Sequence, residues 1–457
     1  MAEPSFSQDT ISIRVALNTY INAFLVGTFF SGLLVYLEFE APAFVLFLIS
    51  WVVIPSLAFS DRIVFDGKRL SRSGIAPRLW AWFSNSRSRL KVSDIEQIET
   101  ASLRAIKRGG NLHYRYRTAM QGRGVNIVIT SGGESYRLIM SRILSAVHND
   151  VLDQRSADLR DHLADPKEVL MKAAFAKIPE SDVLEGVLFR RDKKTHVELS
   201  IDDDESEAIE ARAENLRVLG NELKIAGRLH QSLEAFRRAL VLRPTDARLI
   251  FDLARCLSTI AGVRSDNTLH RRSLAALRLT EQRADKDSEL YARLGEVYFT
   301  LGEWKRSAAV FLKAIEFGNG YLGSRGLAEI ALREGKLAHV VHQFSSANLV
   351  ASTPSLRRYS KGEAEYFGNL SRDREYLDLE VGRVNLLSSL ESGKRSLLRI
   401  ASLSSIPLFA GTILEDTLFT DIGWTVAGVS LLIWTIVSIS THLFSSRIPY
   451  ELTIDDE

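Results

Sequence analysis

Charged residues are absent from Val15 to Leu37 and again from Ala41 to Ser60, with only Glu38-Phe39-Glu40 between the two runs. About 20 apolar residues in a helix cross a hydrocarbon core of about 30 Å. Each run therefore predicts a transmembrane helix, and the pair predicts a hairpin. Pro42 suits a helix start, and Pro55 suits a kink within the second span. The pattern returns towards the far end. Ile422 to Ser446 is uncharged and holds Trp424 and Trp434, and its partner Ile400 to Leu414 is a shorter apolar run between Arg399 and Glu415. That shorter run spans if Arg399 snorkels to the interface and a turn at Ser396-Leu397-Leu398 joins it; the alternative is a re-entrant segment.

Between the hairpins the period changes twice. Over residues 61–163 it is that of strands. Asp66-Gly67 is a hairpin turn signal, Val125 to Thr130 alternates, Ser131-Gly132-Gly133 turns, and Tyr136 to Met140 reads as the return strand. Ser141 then caps a helix with Ile143, Leu144, Val147, Val151, Leu152 and Leu159 on its apolar positions. Residues 164–211 read as a connector with a short helix over Lys167 to Lys177. The run Asp202 to Glu207 lacks the glycine and spacing of a calcium loop and reads as a solvated helix start.

From residue 212 to 350 the period is helical and itself repeats. Leu219-Gly220, Phe236, Ala239 and Pro244 are followed by Leu253-Ala254, then Leu294-Gly295, Phe311 and Ala314, then Leu327-Ala328, Phe344 and Ala347. The second unit is longer, with an insertion around Gly262 to Asn267. A small residue on the first helix of each unit lets the second helix approach closely, and Pro244 ends a helix. These positions resemble the tetratricopeptide repeat, strongly in two units and fairly in four. The resemblance implies an α-solenoid with a concave face that binds peptides or proteins. It also implies groove positions at Arg217, Asn221, Lys224, Arg255 and Arg293. Asp252 and Glu289 stand where the family's known carboxylate clamp would need Asn and Lys, which argues against that clamp. The β-rich segment, with several strands closed by one helix after a membrane hairpin, resembles the bacterial pleckstrin-homology-like domains.

The whole reads as a multidomain α+β membrane protein. Residues 1–60 form an N-terminal transmembrane hairpin, 61–163 a basic PH-like β domain with a C-terminal helix, and 164–211 a connector. Residues 212–350 form the TPR array, 351–396 a helical extension, 397–446 a C-terminal transmembrane hairpin and 447–457 an acidic tail.

Charge adds an orientation. Arg14, Arg62, Lys68, Arg69 and Arg72 flank the first pair of spans, and Lys394, Arg395, Arg399 and Arg447 the second, whereas the loops within each hairpin carry no Lys or Arg. The positive-inside rule then places residues 61–396 and both termini in the cytoplasm, in a bacterial inner membrane. The net charge of the chain is +2, but residues 61–160 hold 18 Lys/Arg against 9 Asp/Glu. Such a surface attracts anionic lipid at about 1 kcal/mol per well-placed basic group. Arg62, Lys68, Arg69, Arg72, Trp80 and Trp82 are the candidate membrane-surface contacts. Nucleic acid is not expected as a partner beside a membrane anchor.

No HExxH, GxSxG, CxxC or Walker pattern appears, so no catalytic, cofactor or metal residue is assigned. The one cysteine, Cys256, excludes an intrachain disulfide and reads as buried packing. His339 and His342 share a helix face without a third ligand. Asp, Glu, Lys and Arg are absent from the spans, which favours anchoring over transport. The expected function is a non-enzymatic membrane-anchored scaffold whose array recruits proteins. The alternatives are a lipid- or stress-sensing regulator and an accessory subunit of a membrane enzyme or secretion complex.

Overall fold

The computed structural model describes residues 10–15, 18–78, 89–106, 112–131, 134–185 and 203–450. Trp80, Trp82 and Phe83 lie outside them. The chain divides into two compact units. One takes in residues 1–13, 63–72 and 86–364, and the other 14–62, 73–85 and 365–457.

The second unit holds the apolar helices. These are α1 (Asn18–Tyr36), α2 (Glu40–Ser60), the long α16 (Arg374–Leu403) running on into α17 (Ser405–Leu414), and α18 (Thr417–Leu443). Three stretches, Glu40–Ser60, Arg374–Leu414 and Thr417–Leu443, are long and apolar enough to cross a membrane, and Tyr20–Tyr36 is a shorter apolar helix. Ser396–Leu398 joins the apolar run as helix, since nothing in that stretch breaks the backbone ladder until Ser404.

Small residues set the helix crossings. A Cβ on Gly27 would meet Ser50 at 2.2 Å, and one on Gly423 would meet Leu408 at 2.7 Å. Trp424 packs against Phe29 and stacks on Tyr36. Close backbone approach at glycine is how helices associate where water supplies no driving force. Facing outward is a belt of large apolar side chains: Phe44, Trp51, Phe409, Ile413, Ile436 and Ile439 are each at least 50% exposed.

The first unit contains the β segment and the array together. Strands β1 (Ile11–Arg14), β2 (Arg62–Phe65), β3 (Arg69–Ser73) and β4 (Arg89–Lys91) form one sheet in that order, with Leu70 opposite Leu90. The Asp66-Gly67 turn is as read: Gly67 sits at φ +85°, and the Asp66 carboxylate accepts from the amides of Lys68 and Arg69. A second, antiparallel sheet holds β5 (Gln97–Ile106), β6 (Leu112–Gly122) and β7 (Val125–Thr130). Its inward face carries Ile98, Thr100, Thr118, Met120, Ile127 and Ile129, all buried.

The run Tyr136–Met140 is not a strand. It lies in α3 (Glu134–Ala146), and Ser141 is inside that helix rather than at its cap. Tyr136, Ile139, Met140, Ile143 and Leu144 are buried on one helical face. The i, i+3, i+4, i+7 period continues past Met140, which a five-residue window hides.

After α3 comes α4 (Gln154–His162), then α5 (Pro166–Phe175) and the short α6 (Ser181–Glu185). The array follows as four helix pairs: α7 (Asp203–Ile225) with α8 (Leu229–Leu242), α9 (Ala247–Arg264) with α10 (Asn267–Arg283), α11 (Ser288–Thr300) with α12 (Trp304–Glu316), and α13 (Gly320–Arg333) with α14 (Leu337–Val350). Helix α15 (Pro354–Arg372) succeeds them. The insertion in the second unit makes no loop. It lengthens both helices, to 18 and 17 residues against 13 and 13 in the third unit.

The glycines of the first and third repeats each face an aromatic ring. A Cβ on Gly220 would lie 2.7 Å from Phe236, and one on Gly295 would lie 2.6 Å from Phe311. At the same crossings a serine on the second helix donates to the first-helix backbone: Ser232 Oγ to the Gly220 carbonyl at 2.7 Å, Ser273 to Ala254 at 2.9 Å and Ser307 to Gly295 at 2.8 Å.

Candidate functional site

Helix α4 has two working faces. One belongs to the sheet. Its N-cap Asp153 accepts from the amides of Ser156 at 2.9 Å and Thr100 at 3.3 Å. Ser156 Oγ lies 2.7 Å from Thr100 Oγ1, which is 3.1 Å from Thr118 Oγ1, itself 3.0 Å from the Tyr136 hydroxyl. This buried hydroxyl chain and Leu159, 1% exposed, fix α4 to the β body.

The other face meets the array. Asp158, buried, receives the guanidinium of Arg255 on both oxygens, Nη1 to Oδ1 at 2.9 Å and Nη2 to Oδ2, and Lys224 Nζ lies 3.6 Å away. Burial pushes the Asp158 carboxyl up. The charges of Arg255 and Lys224 outweigh that and hold it far below the usual carboxylate range. Burial and the neighbouring Arg255 depress the ammonium of Lys224 in turn. One turn further on, Asp161 lies 3.7 Å from Arg293, which also holds Glu289 at 2.7 Å.

Arg217 and Asn221 extend this cluster of charge across α7 and α9. Lys224 donates to Asn221 Oδ1 at 3.2 Å, and Asn221 Nδ2 donates to Asp252 at 2.9 Å. Arg217 donates to Asp252 at 3.0 Å and to both oxygens of Glu214. Arg217, Asn221, Lys224 and Arg255 thus lie in one network, and Arg293 meets the same helix α4 at Asp161. Within the network Asp252, the residue that breaks the known clamp, is the internal counter-charge.

The sequence reading missed Asp158, Asp161, Glu296, Arg325 and Glu329. A signal for some of them was present. The residue following the small position of each first helix is Asn221, Arg255, Glu296 and Glu329 in turn. Asn221 and Arg255 join the network above, and Arg255, Glu296 and Glu329 line a cavity of about 530 Å³ between α4, β5 and the array. A neighbouring cavity of about 570 Å³ is bounded by Asp150, Gln154, Arg293, Glu296 and Tyr321. The β body reaches the array at further points. The Tyr116 hydroxyl donates to the Ile225 carbonyl at 2.5 Å, and Arg358, after the last pair, lies 3.7 Å from Asp94 and 3.6 Å from Glu96.

Glu296 is half-buried at both cavities, and burial raises its carboxyl to about 7. A group whose folded pKa lies above its ordinary 4.5 favours the fold below pH 4.5, and that contribution is lost as pH rises through about 7. Glu296→Gln should therefore stabilise the protein at pH 8, by about 1–2 kcal/mol after allowance for partial exposure, and make little difference at pH 5. Thermal melting at the two pH values checks this. An equal shift at both would assign the effect to something other than ionisation.

Of the proposed membrane-surface contacts, Arg62, Lys68, Arg69 and Arg72 are exposed, and Trp80 and Trp82 lie outside the described residues. Arg69, Arg89, Lys91 and Arg123 line a small cleft of about 140 Å³ around Asp94, which Arg123 pairs at 3.2 Å. Cys256 is fully buried, and burial pushes its thiol up to about 11, so it packs rather than reacts. No cluster of three or more His, Cys, Asp or Glu able to hold a metal occurs among the described residues.

The repeated pairs and their glycine–phenylalanine crossings define an array of stacked antiparallel helix pairs. No family model matches the chain, and no curated protein does. Among solved structures, the chain is similar to the crystal structure of MamA at 18% identity and a TM-score of 0.26, covering 32% of this chain and 85% of that one. It is similar to the MamA RS-1 ArsTM double mutant at 16% and 0.26, covering 39% and 94%. A third likeness is to the APC/C hetero-tetramer Cut9-Hcn1 at 11% and 0.30, covering 67% of this chain and 51% of that one. At these TM-scores the likenesses carry no argument, and the class rests on the geometry above.

Proposed function

We propose that this chain is a membrane-anchored adaptor. Its apolar helices hold it in a bilayer, and its helical array recruits protein partners on the cytoplasmic side. The observation that carries this reading is that the groove-facing side of the array already holds a protein segment, with Asp158 of α4 seated between Arg255 and Lys224. The surface is thus built to grip a polypeptide through charge. Anchoring is supported by three helices of membrane-crossing length and by the outward apolar belt, which is far larger than a soluble surface exposes. Basic flanks and acidic hairpin loops give the orientation. The cleft between Arg69, Arg89, Lys91 and Arg123 favours a second role for the same chain, attraction to anionic lipid beside the anchor, as a PH-like domain would supply.

A photo-crosslinking residue tests the adaptor reading in intact cells. Placed at Thr259, which lines the cavity of about 530 Å³, it should yield discrete intermolecular adducts; placed at exposed Arg278 on α10 it should yield none. Adducts of equal yield from both positions, or from neither, would count against recruitment through the groove. Reporter fusions at Glu40 and Asp416 should read as external and fusions at Ala2 and Glu457 as internal. A soluble protein after lysis would remove the anchor from the proposal.

A further inference from the structure

We propose that the groove is a receptor for an acidic helix, that α4 is its resident occupant, and that a recruited partner displaces α4 with a helix presenting carboxylates to the same cations. This inference rests on the adaptor reading and names the chemistry of its partner.

Three observations lead to it. The first is the pairing itself. Asp158 comes from a helix 97 residues away from Arg255, and it receives both guanidinium nitrogens and faces a buried lysine. Asp161, three residues on and so on the same helical face, lies near Arg293 of the third repeat. The spacing of two carboxylates on one helix thus matches cations on successive repeats. The second is the quality of the interface. The cores within the array are apolar and close-packed, as in the cluster of Phe251, Leu277, Leu294, Tyr298 and Val310. The contact of α4 with the array is made by charged groups and is bordered by cavities of about 530 and 570 Å³. Polar, loosely filled junctions are those that part without unfolding either side. The third is that α4 keeps support of its own when its array face is vacated. Its Ser156–Thr100 bond and the Asp153 cap tie it to β5, so it can swing from the groove as a helix, tethered by α5, which packs with α7 and α8.

The competing occupant is therefore an acidic helical segment of a protein, since the groove offers a paired cation set at helical spacing rather than a pocket for a small anion. Lys224 and Arg255 are held by Asn221 and by the Arg217–Asp252 pair, so the cations stay in place when Asp158 goes.

The test uses the full-length chain in detergent and, as probe, a fluorescein-labelled peptide of residues 149–165, with an Asp158→Asn peptide as control. The wild-type chain should bind the peptide weakly because α4 occupies the groove. The Asp158→Asn chain should bind the unmodified peptide at least ten-fold more tightly, and the control peptide at least ten-fold less tightly than the unmodified one. Hydrogen exchange over α4 should rise in that variant while α11 to α14 keep their protection. Arg255→Met should likewise release α4 but bind neither peptide. Unchanged protection of α4 in Asp158→Asn, or equal binding of both peptides, would overturn the proposal. If Asp158→Asn does not fold, the wild-type chain decides: excess unmodified peptide should raise exchange in the chain's own α4, and no rise overturns the idea. Groove adducts from Thr259 together with peptide failure would sink only this inference. Failure of both would sink the adaptor reading as well.

Discussion

Asp158→Ala is expected to cost about 3–5 kcal/mol of the stability of the unit formed by the β body and the array, since it leaves Lys224 buried without its anion and Arg255 with only the longer contact to Asp252. The loss should exceed that of any exposed pair in the array, such as Lys336–Glu334 between α13 and α14, for which about 0–1 kcal/mol is ordinary. The physical reason is desolvation. A buried charge loses its water whether or not it is paired, so removing one partner exposes the whole cost of the other. It follows that removing the cations too should restore most of the stability: Asp158→Ala combined with Lys224→Met and Arg255→Met is expected to melt within about 1–2 kcal/mol of wild type. Asp252 keeps Arg217 at 3.0 Å and Asn221 at 2.9 Å in that triple variant, so no new orphan charge arises. Chemical denaturation monitored by circular dichroism measures all three. A triple variant as unstable as the single one would mean that the cluster contributes packing rather than charge balance. Because the Asp158 carboxyl is held below its ordinary 3.8, the contribution it makes is present above pH 4 and is lost only as pH falls towards the folded value.

Gly295→Leu is the second large effect expected. The Phe311 ring lies between Gly295 on its own repeat and Gly326 on the next, so that a Cβ on either would approach it to 2.6 or 2.3 Å. Phe311 is 2% exposed and cannot swing aside, so the added side chain must push α11 and α12 apart. Overpacking of this kind costs about 1–3 kcal/mol, and the cost here should sit at the upper end because two repeats share the ring. Solenoid repeats depend on their neighbours, so the damage should spread to α13 and α14 while the apolar helices of the other unit are spared. Hydrogen exchange resolves this by segment. Protection in α13 equal to wild type would show that the third and fourth repeats are not coupled through Phe311.

Much of this architecture is legible locally. The charge-free runs, the Asp66-Gly67 turn, the helix over α5, and the Gly220–Phe236 and Gly295–Phe311 pairs each depend on residues within a few turns of one another, and periodicity reports such arrangements directly. The groove register was legible too, since the residue after each small position is polar in all four repeats. Where the reading erred, it lacked length: Tyr136 to Met140 alternates over five residues but belongs to a helical face that runs on to Leu144. The insertion around Gly262 to Asn267 is visible in the sequence, but where its residues go is not: helix propagation is cheap once nucleated, and they extend α9 and α10.

The sequence by itself determined the elements: apolar helices of spanning length, a basic strand-rich body and a repeated helix pair with a polar residue after each small position. Only the tertiary structure decided that the β body and the array form one unit, that α4 lies against the groove, and that Arg255 and Lys224 are satisfied by Asp158. Those outcomes join residues 66 to 97 positions apart through a loop closure whose cost depends only weakly on length. No local period encodes which distant carboxylate meets a given cation. Burial makes that choice, because a charge removed from water must find its counter-charge wherever the chain brings one.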